Sequence, residues 1–404
     1  MGSSFLLKIF NCWDFLQLEH PPKPPLSPRP THKAPVYFPS EHVDGVLSFL
    51  PVKSVIRFRC VSKTLNSLIS DPSFVKLHLN RSAQNEYTSN LYTSGKGIPS
   101  PPSHFSRRRE SIPITYKFPE DPSYKLKDTD YIVGFCNGLL CLYGHCLNHD
   151  DTISETWLRI WNPATRTISE KLSRSGKVYS PTNLKFGYDN STNTYKVLYF
   201  CPGKKKVRVL TLGNNVWRKI QNFPVNHDFS LDLVDMRGRV VWLAIHNHFL
   251  SIYDCKSITI EQFVIISLDL STETHIQLRP PCGLNEVPIV VPKLSVLNDC
   301  LCFAHDFKQT HFVLWQMKEF GVEESWSQFF KICYQDILED YDFNNESNFR
   351  LSPLYYSEKD DALFLMNYHK QQAIIYSRRY NRVESKKRLW LLDRPYVESL
   401  VWYC

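Results

Sequence analysis

The sequence predicts a small all-α unit followed by a large all-β domain. Residues 38–79 carry apolar side chains at helical spacing, whereas from about residue 125 short apolar runs alternate with Gly, Asn, Asp and Pro turns. Aromatic residues make up 14% of the chain, a usage typical of β proteins with half-buried strands. A two-part unit recurs five times in the second region, which indicates a repeat architecture.

The segment 38–79 predicts four very short helices. Val43, Val46, Leu47 and Leu50 fall at i, i+3, i+4 and i+7, which places them on one face of a helix. The expected helix boundaries are residues that cap or open a helix: Ser40, Pro51, Ser62 and Asp71-Pro72. Because such short helices bury little area, the unit is expected to need a partner or a neighbouring domain.

The repeat in the second region predicts a β-propeller. Each unit opens with an apolar strand, as in GFCNGLLCLYG (134–144), and continues as strand, polar turn and strand, as in LRIWNPATRTI (158–168). A period of roughly 50 residues with about four strands per unit is the signature of a propeller blade. Residues 125–404 are therefore expected to form five to six blades, with YVESLVWYC (396–404) as the strand that closes the ring.

Two segments are predicted to lack regular structure. Residues 1–37 are expected to be a disordered N-terminal segment that ends in the proline-rich linker PPKPPLSPRPTHKAP (21–35). Residues 80–124 lose periodicity and gather prolines, serines and a basic triplet, so they predict a flexible linker.

Composition indicates a soluble, intracellular chain without a membrane span. No apolar run is long enough to cross a bilayer, and the N-terminus lacks the basic start of a signal peptide. The 12 cysteines are scattered, which favours free thiols in a reducing compartment. The formal net charge of +8 is mild for 404 residues and does not by itself imply nucleic acid. The expected location is cytoplasmic, nuclear or both.

The order of motifs in residues 38–79 resembles an F-box. Phe38-Pro39 is followed by the apolar helix, then by LPVKS, RFRCVSK and DPSF (71–74). Further along, GFCNGLL (134–140), IWNPATR (160–166) and VESLV (397–401) resemble the F-box-associated, kelch-related domain of plant F-box proteins. The resemblance implies a small all-α F-box at 38–79, a linker at 80–124, and an all-β, kelch-like β-propeller of five to six blades at 125–404.

This resemblance implies that LPVKSVIRFRCVSK (50–63) docks on a Skp-type adaptor, and through it on a cullin, rather than on lipid or nucleic acid. The basic charge of the segment suits an acidic adaptor groove. By family analogy, the adaptor-binding residues are expected to be Phe38, Pro39, Leu50, Pro51, Val52, Ile56, Cys60 and Val61. The implied function is a non-catalytic substrate-recognition subunit of an SCF-type ubiquitin ligase, with the β domain holding an unknown target protein.

Leu65 departs from the family pattern, which usually has an aromatic residue there, and Phe38 stands where leucine is usual. Loss of an aromatic anchor is expected to weaken adaptor binding by about 1–2 kcal/mol. A second hypothesis is therefore an F-box scaffold, or a carbohydrate or small-ligand binder, that acts outside the ligase. In that case Trp157, Trp217 and Trp326 are the candidates to stack on a sugar.

Motifs for catalysis, metals and cofactors are absent from the sequence. It contains no HExxH, GxSxG, GxxxxGK[ST] or CxxC pattern, so an enzyme built on the propeller is the least supported hypothesis. His246-Asn247-His248 lacks a third ligand at fixed spacing, and Cys300-Leu301-Cys302 is expected to be structural. The basic turns at 204–206, 378–379 and 386–388 are expected to be solvated.

Overall fold

The computed structural model describes residues 43–84, 89–91, 131–149, 153–175, 183–201, 206–214, 216–222, 233–246, 253–337, 351–367, 372–388 and 394–402. The predictions for the N-terminal segment and for most of the linker lie outside these residues. The boundaries predicted between domains therefore remain predictions.

Four helices open the described part of the chain. They are α1 (Val43–Leu47), α2 (Val52–Phe58), α3 (Lys63–Ser70) and α4 (Pro72–Gln84). The short strand β1 (Ser89–Leu91) follows them. The first three helices are as short as the sequence predicts, whereas α4 continues to residue 84, beyond the expected end of the unit.

The described part of the β region forms five antiparallel sheets, each built from strands that are consecutive among the described strands of the chain. Sheet I contains β2 (Tyr131–Cys136), β3 (Leu139–Leu147), β4 (Ile153–Asn162), β5 (Thr167–Ile168) and β6 (Leu172–Ser175). Sheet II contains β7 (Leu184–Asp189), β8 (Thr194–Phe200), β9 (Lys206–Thr211) and β10 (Trp217–Asn222). Sheet III contains β11 (Val234–Met236), β12 (Arg239–Ile245), β13 (Phe263–Asp269) and β14 (His275–Leu278).

The last two sheets repeat this arrangement. Sheet IV contains β15 (Lys293–Leu297), β16 (Cys300–Phe307), β17 (His311–Met317) and β18 (Trp326–Cys333), and the helical turn α5 (Tyr334–Ile337) follows it. Sheet V contains β19 (Leu351–Ser357), β20 (Ala362–Asn367), β21 (Gln372–Ser377) and β22 (Arg382–Arg388). Finally, β23 (Arg394–Tyr396) pairs with β1 in a separate two-stranded sheet.

Successive sheets pack face to face, and each neighbouring pair shares an apolar core. These cores contain Ile160 with Phe186, Val209 with Trp242, Ile265 with Phe303, and Leu314 with Leu365. Four-stranded sheets packed in chain order form the β-propeller that the repeat predicts. The described residues contain four four-stranded sheets, the five-stranded sheet I and the two-stranded pair, so a count of five to six blades remains a prediction.

A six-residue turn recurs in sheets I, II and III, at residues 162–167, 189–194 and 269–274. The Oδ1 atom of its first residue accepts the backbone N–H groups of the third and fourth residues. The threonines at the fourth and sixth positions hydrogen-bond each other, and the fifth residue has a positive φ of 53–59°. The Asp or Asn side chain therefore builds the turn by replacing backbone partners.

A buried ion network joins sheets II and III. The Lys196 Nζ atom lies 2.9 Å from Asp189 Oδ2 and 3.0 Å from Glu273 Oε1, and it also donates to the Leu270 carbonyl. Ser271 donates to Asp189 at 2.6 Å. Burial alone raises the pKa of the Asp189 carboxyl, but the hydrogen bonds from Ser271, Lys196 and the turn outweigh it and hold the pKa well below its usual range.

The turns between the first two strands of sheets II to V lie side by side. Gly238 approaches Asn190, the Arg237 guanidinium lies 3.5 Å from the Asp299 carboxylate, and Asn298 donates to Glu358 at 2.8 Å. We call this edge of the β region the turn end. In sheet I the corresponding turn is Asn137-Gly138, and β2 lies beside β7.

Of the predicted closing strand (396–404), only Tyr396 lies in a strand, so this prediction is wrong for the described residues 397–402. β23 ends at Tyr396, and residues 397–402 have no regular secondary structure. They lie against the turn end of sheet I, where Ser399 and Val401 accept hydrogen bonds from Asn162. The end of the described chain therefore returns to the first sheet, although not as a paired strand.

The cysteines of the described part are all free. Burial raises the pKa of the Cys302 thiol to about 12, so it stays protonated, as expected of a structural cysteine. Within the described residues no helix is long and apolar enough to span a membrane.

Candidate adaptor-binding surface

The helical unit is organised by the caps that the sequence predicts. The Ser62 hydroxyl accepts the Leu65 N–H at 3.1 Å, and this satisfies one of the free amides at the start of α3. Asp71 accepts the Ser73 N–H at 2.8 Å, and Pro72 is the first residue of α4. Pro51 precedes α2 without a side-chain hydrogen bond. The predicted cap at Ser40 lies outside the described residues.

The core of this unit is small, and it includes a residue from the far end of the chain. The helices contribute the buried side chains Leu47, Val52, Val55, Phe58, Leu65, Ile69 and Phe74. Leu400 completes the same cluster, and Ala164 of sheet I packs against it. The helical unit therefore obtains part of its core from the β region.

The structure separates the predicted adaptor-binding residues into three groups. Pro51 and Cys60 are exposed, whereas Leu50, Ile56 and Val61 are partly buried against the core of the unit. Val52 is only 1% exposed, so its side chain belongs to the interior of the unit. Phe38 and Pro39 lie outside the described residues.

Two exposed apolar residues were not among the predicted set. Val46 is 51% exposed and Phe49 is 65% exposed, although Val46 shares the predicted apolar face with the buried Leu47. The Arg81 guanidinium lies 4.1 Å from the centre of the Phe49 ring, a cation–π contact. In the sequence, Phe49 falls within the predicted helix but outside the spacing of its apolar face, so the helical pattern gives no signal for it.

Leu65 lies inside the unit rather than on its surface. It is 1% exposed and belongs to the core cluster. Since its side chain offers no surface to a partner, the change from the usual aromatic residue acts on the packing of the unit. The sequence suggested that Leu65 weakens adaptor binding by removing an interface anchor. Its buried position means that any such effect acts instead through the packing of the helices.

The exposed charges of α2 and its flanks are basic. Lys53, Arg57 and Lys63 are exposed, while Arg59 is held by Asn66 Oδ1 and Ser70 Oγ, both at 3.0 Å. This distribution keeps positive charge available at the helix surface for an acidic partner.

One histidine is buried where the unit meets the end of the chain. His78 is 1% exposed, and its Nε2 atom lies 2.9 Å from the Leu50 carbonyl. Desolvation lowers the pKa of His78, although the hydrogen bond to Leu50 and the charge of Glu398 act in the opposite direction. The neutral imidazole is therefore the form that stabilises the unit.

The three tryptophans predicted to stack on a sugar contact other side chains or backbone groups of the same chain. Trp157 lies under Lys171, whose Nζ atom is 3.4 Å from the ring centre, and the Trp326 indole donates to the Arg279 carbonyl at 3.2 Å. Trp217 packs edge-on against Tyr199. Each of these predicted sugar-stacking rings thus has a partner within the chain.

The turn at 378–379 is not simply solvated. Arg378 donates to Asp361 and to the Tyr356 hydroxyl, each at 2.8 Å, and its guanidinium lies over the Phe329 and Phe330 rings at 5.0 and 4.6 Å. It therefore ties sheet V to sheet IV. The side chains of residues 386–388 and the turn at 202–205 lie outside the described part.

No group of three or more metal-ligating side chains occurs in the part of the chain that the structure describes. His246 is described, but His248 is not. The small cavity beside Asp306, of about 20 Å³, is large enough for a single water molecule. It offers no room for a substrate.

Comparison with known families identifies both parts of the chain. Residues 38–77 match the F-box domain, and residues 99–346 match the F-box associated beta propeller domain. These two matches agree with the helices at 43–84 and with the successive antiparallel sheets.

Similar proteins occur in Arabidopsis thaliana. An F-box/kelch-repeat protein is 28% identical over 319 residues, which cover 74% of this chain and 80% of that protein. F-box protein CPR1 is 25% identical over 399 residues, covering 91% and 89%. Protein SUPPRESSOR OF NIM1 1 is 27% identical over 298 residues, covering 65% and 75%.

Similarity to solved structures is weaker. A luciferin-regenerating enzyme overlaps 62% of this chain and 72% of its own, with 12% identity and a TM-score of 0.34. An overlap of this size supports no conclusion about function.

Proposed function

Since the chain belongs to the plant F-box proteins with an F-box-associated β-propeller domain, we propose that it is the substrate-recognition subunit of an SCF-type ubiquitin ligase. Its F-box binds a Skp-type adaptor, and through the adaptor a cullin. Its β-propeller holds a target protein.

The observation that carries this proposal is the exposed apolar surface of the helical unit. Val46 and Phe49 are both more than half exposed and lie three residues apart in the helical unit, which gives a partner an apolar surface to cover. Leu50 and Ile56 add partly exposed apolar surface on the same unit, and Lys53 and Arg57 are exposed basic residues of α2. This combination fits an apolar groove with an acidic rim.

In this proposal the chain positions the target protein and does not itself catalyse ubiquitin transfer. In this proposal the target's lysines are held near a ubiquitin-loaded conjugating enzyme, which raises their effective concentration. No residue of the chain contacts the reacting bond, and no cofactor or metal takes part. The corresponding place of action is the cytoplasm, the nucleus or both, without nucleic acid or membrane as a partner.

The F-box position suggests which end of the propeller meets the target. The helical unit lies against the turn end of sheet I, through Leu400 and Ala164. The longer connections between strands at the opposite end include the described residues 253–262 and 279–292. Long loops on a rigid scaffold are suited to recognition. We assign target binding to this opposite end.

The experiment is a titration of purified Skp-type adaptor against the full chain. We expect sub-micromolar binding, and we expect Phe49→Asp to weaken it at least about 30-fold, because a buried aromatic anchor contributes on the order of 2 kcal/mol or more. Val216→Asp is the matched control, since Val216 is 66% exposed but directly precedes β10 of sheet II. It should change the Kd less than about threefold, the size of effect expected of a surface residue outside the interface.

Absence of binding by the unmutated chain, or an equal loss in both variants, would contradict the proposal. In that case the scaffold or small-ligand hypothesis takes its place. For the target-binding end, substitutions of exposed residues such as Lys256 and Cys282 should change which proteins the complex retains while leaving the adaptor Kd unchanged. Unchanged retention would reject this assignment.

A further inference from the structure

The three motifs of the β region that resemble the F-box-associated domain meet at one place. GFCNGLL supplies the turn Asn137-Gly138, IWNPATR supplies Asn162, and the tail supplies Ser399. The Ser399 hydroxyl donates to the Asn137 carbonyl at 2.6 Å. The Asn162 Nδ2 atom donates to the Ser399 carbonyl at 3.0 Å and to the Val401 carbonyl at 2.7 Å. We call residues 397–402 the junction segment.

The junction segment contacts sheet I and the helical unit at the same time. Leu400 is 7% exposed and lies in the core of the helices, with Phe74 and Leu65. The next residue, Val401, packs on the other core, between sheets I and II. Glu398 lies near enough to His78 to act on its pKa. Consecutive side chains of this segment therefore connect the two parts of the molecule.

Gly138 provides the space for this contact. Its φ is +77°, and a Cβ atom there would collide with Ser399 Oγ and lie 2.7 Å from the Val397 carbonyl oxygen. Any side chain at this position would force the junction segment away from the turn. The glycine is therefore required by the segment that packs on it as well as by the turn itself.

The chemistry of Asn162 differs from that of its equivalents in the same turn. Asp189 and Asp269 use one oxygen to build the turn and the other to meet a cation, Lys196 at 2.9 Å and Arg239 at 2.6 Å. Asn162 builds the turn in the same way with Oδ1, but its second atom is an N–H donor that faces two carbonyl groups. An aspartate would serve the turn equally well. The amide is needed for the junction segment.

We infer that residues 397–402, held by Asn162, are positioning residues that fix the F-box to the propeller as one rigid body. The role of this rigid connection in the ligase rests on the proposed function. A rigid connection holds the target-binding end at a constant distance and angle from the adaptor, and hence from the ubiquitin-loaded enzyme. Apart from the junction segment, Ala164 is the described residue of sheet I that packs on the core of the helices.

The test uses the full chain, alone and with the Skp-type adaptor, and compares Asn162→Asp with the unmutated protein. The substitution keeps the turn-building oxygen but places a carboxylate against two carbonyl oxygens. We expect hydrogen exchange of residues 397–402 and of the helices to rise at least tenfold, and the maximum dimension in small-angle X-ray scattering to increase. Exchange in sheets II to V should not change, and the adaptor Kd should stay within threefold.

Leu400→Ala provides a second variant in case Asn162→Asp does not fold, since Leu400 belongs to no sheet. It should give the same changes in exchange and scattering. Trp402→Ala is the control, because Trp402 belongs to the same segment but is 69% exposed. Unchanged exchange and scattering in both variants, or an equal change in the control, would overturn the inference. A chain that behaves as expected but fails to bind adaptor would reject the proposed function while leaving the rigid junction intact.

Discussion

In the helical unit, seven apolar side chains and Leu400 form one small core, whereas in the β region each pair of successive sheets shares a core of its own. The helices leave Val46 and Phe49 exposed and keep most of their charges at the surface. The sheets bury charged groups such as Lys196 and Asp189 and pair them internally. The helical unit therefore presents exposed apolar side chains, whereas the described sheets bury theirs against one another.

This difference predicts that the stability of the helical unit depends on a partner more than the stability of the β region does. A small unit with an incomplete core is able to gain stability when an adaptor covers it. In the β region, the ion pairs of Lys196 with Asp189 and Glu273 join sheets II and III without any partner. The predictions below address each side of this contrast, from the largest expected effect to the smallest.

Breaking the ion network should show how strongly the sheets depend on it. Lys196→Met leaves the buried Asp189 carboxylate without its cation, and we expect a loss of about 3–5 kcal/mol in the free energy of unfolding. Urea unfolding followed by tryptophan fluorescence measures this. Arg218→Met is the control: Arg218 pairs with the same Glu273 but is 52% exposed, so it should cost less than about 1 kcal/mol. Equal losses would show that the burial of Lys196 is not decisive.

Leu65→Ala should affect the helices and spare the sheets. Removing a fully buried leucine side chain leaves a cavity, and we expect a cost of about 2–4 kcal/mol within the helical unit. Hydrogen exchange should speed up in residues 43–84 and stay constant in sheets II to V. Leu68→Ala, on the same helix but only partly buried, should cost less. Faster exchange throughout the sheets would mean that the two regions unfold together.

Asp306→Asn should stabilise the β region near neutral pH. Burial raises the pKa of the Asp306 carboxyl from its usual 3.8 to about 6, despite hydrogen bonds from Gln309 and Tyr334. Above pH 6 the buried charge therefore costs the folded state up to about 3 kcal/mol. As the pH falls from 6 towards 4 the carboxyl becomes protonated and this cost disappears. The variant should melt several degrees higher than the unmutated chain at pH 7.5.

The same two proteins should melt at similar temperatures near pH 4. A constant difference across this range, or a lower melting temperature for the variant at pH 7.5, would contradict the assigned pKa. Thermal melts at half-unit steps of pH provide the measurement.

The smallest expected effect concerns His78. Because its folded pKa is lowered, the unfolded state binds the proton more readily, so the stability of the helical unit should fall as the pH decreases below about 6.5. The neighbouring Glu398 reduces this effect. Hydrogen exchange of residues 43–84 at pH 7.5 and 5.5, corrected for the intrinsic rate, should show faster opening at pH 5.5. His78→Asn should remove the dependence.

The architecture could be predicted because its signals are local. Ser62 and Asp71 cap helices as their sequence positions indicate, and alternating apolar residues predict strands wherever one face is buried. The repeat could likewise be recognised in the sequence because polar turns, such as NPATRT at 162–167, separate its apolar strands. The motifs in residues 38–79 also indicate the F-box by their order alone.

The division of apolar residues between core and surface could not be predicted. Val46 and Leu47 are neighbours with the same helical spacing, but only the packing of the other helices decides that Leu47 is buried and Val46 exposed. Arg378 donates hydrogen bonds to Asp361 and Tyr356, which lie 17 and 22 residues earlier in the chain. Such long-range contacts leave no periodic signal in the sequence.

The most direct test of the account is hydrogen exchange of the full chain with and without purified Skp-type adaptor. We predict that the adaptor slows exchange in residues 43–84, most strongly around Phe49 and α2, and leaves sheets II to V unchanged. Protection of the sheets with the helices unaffected, or no protection anywhere at saturating adaptor, would contradict the division of work between the two regions.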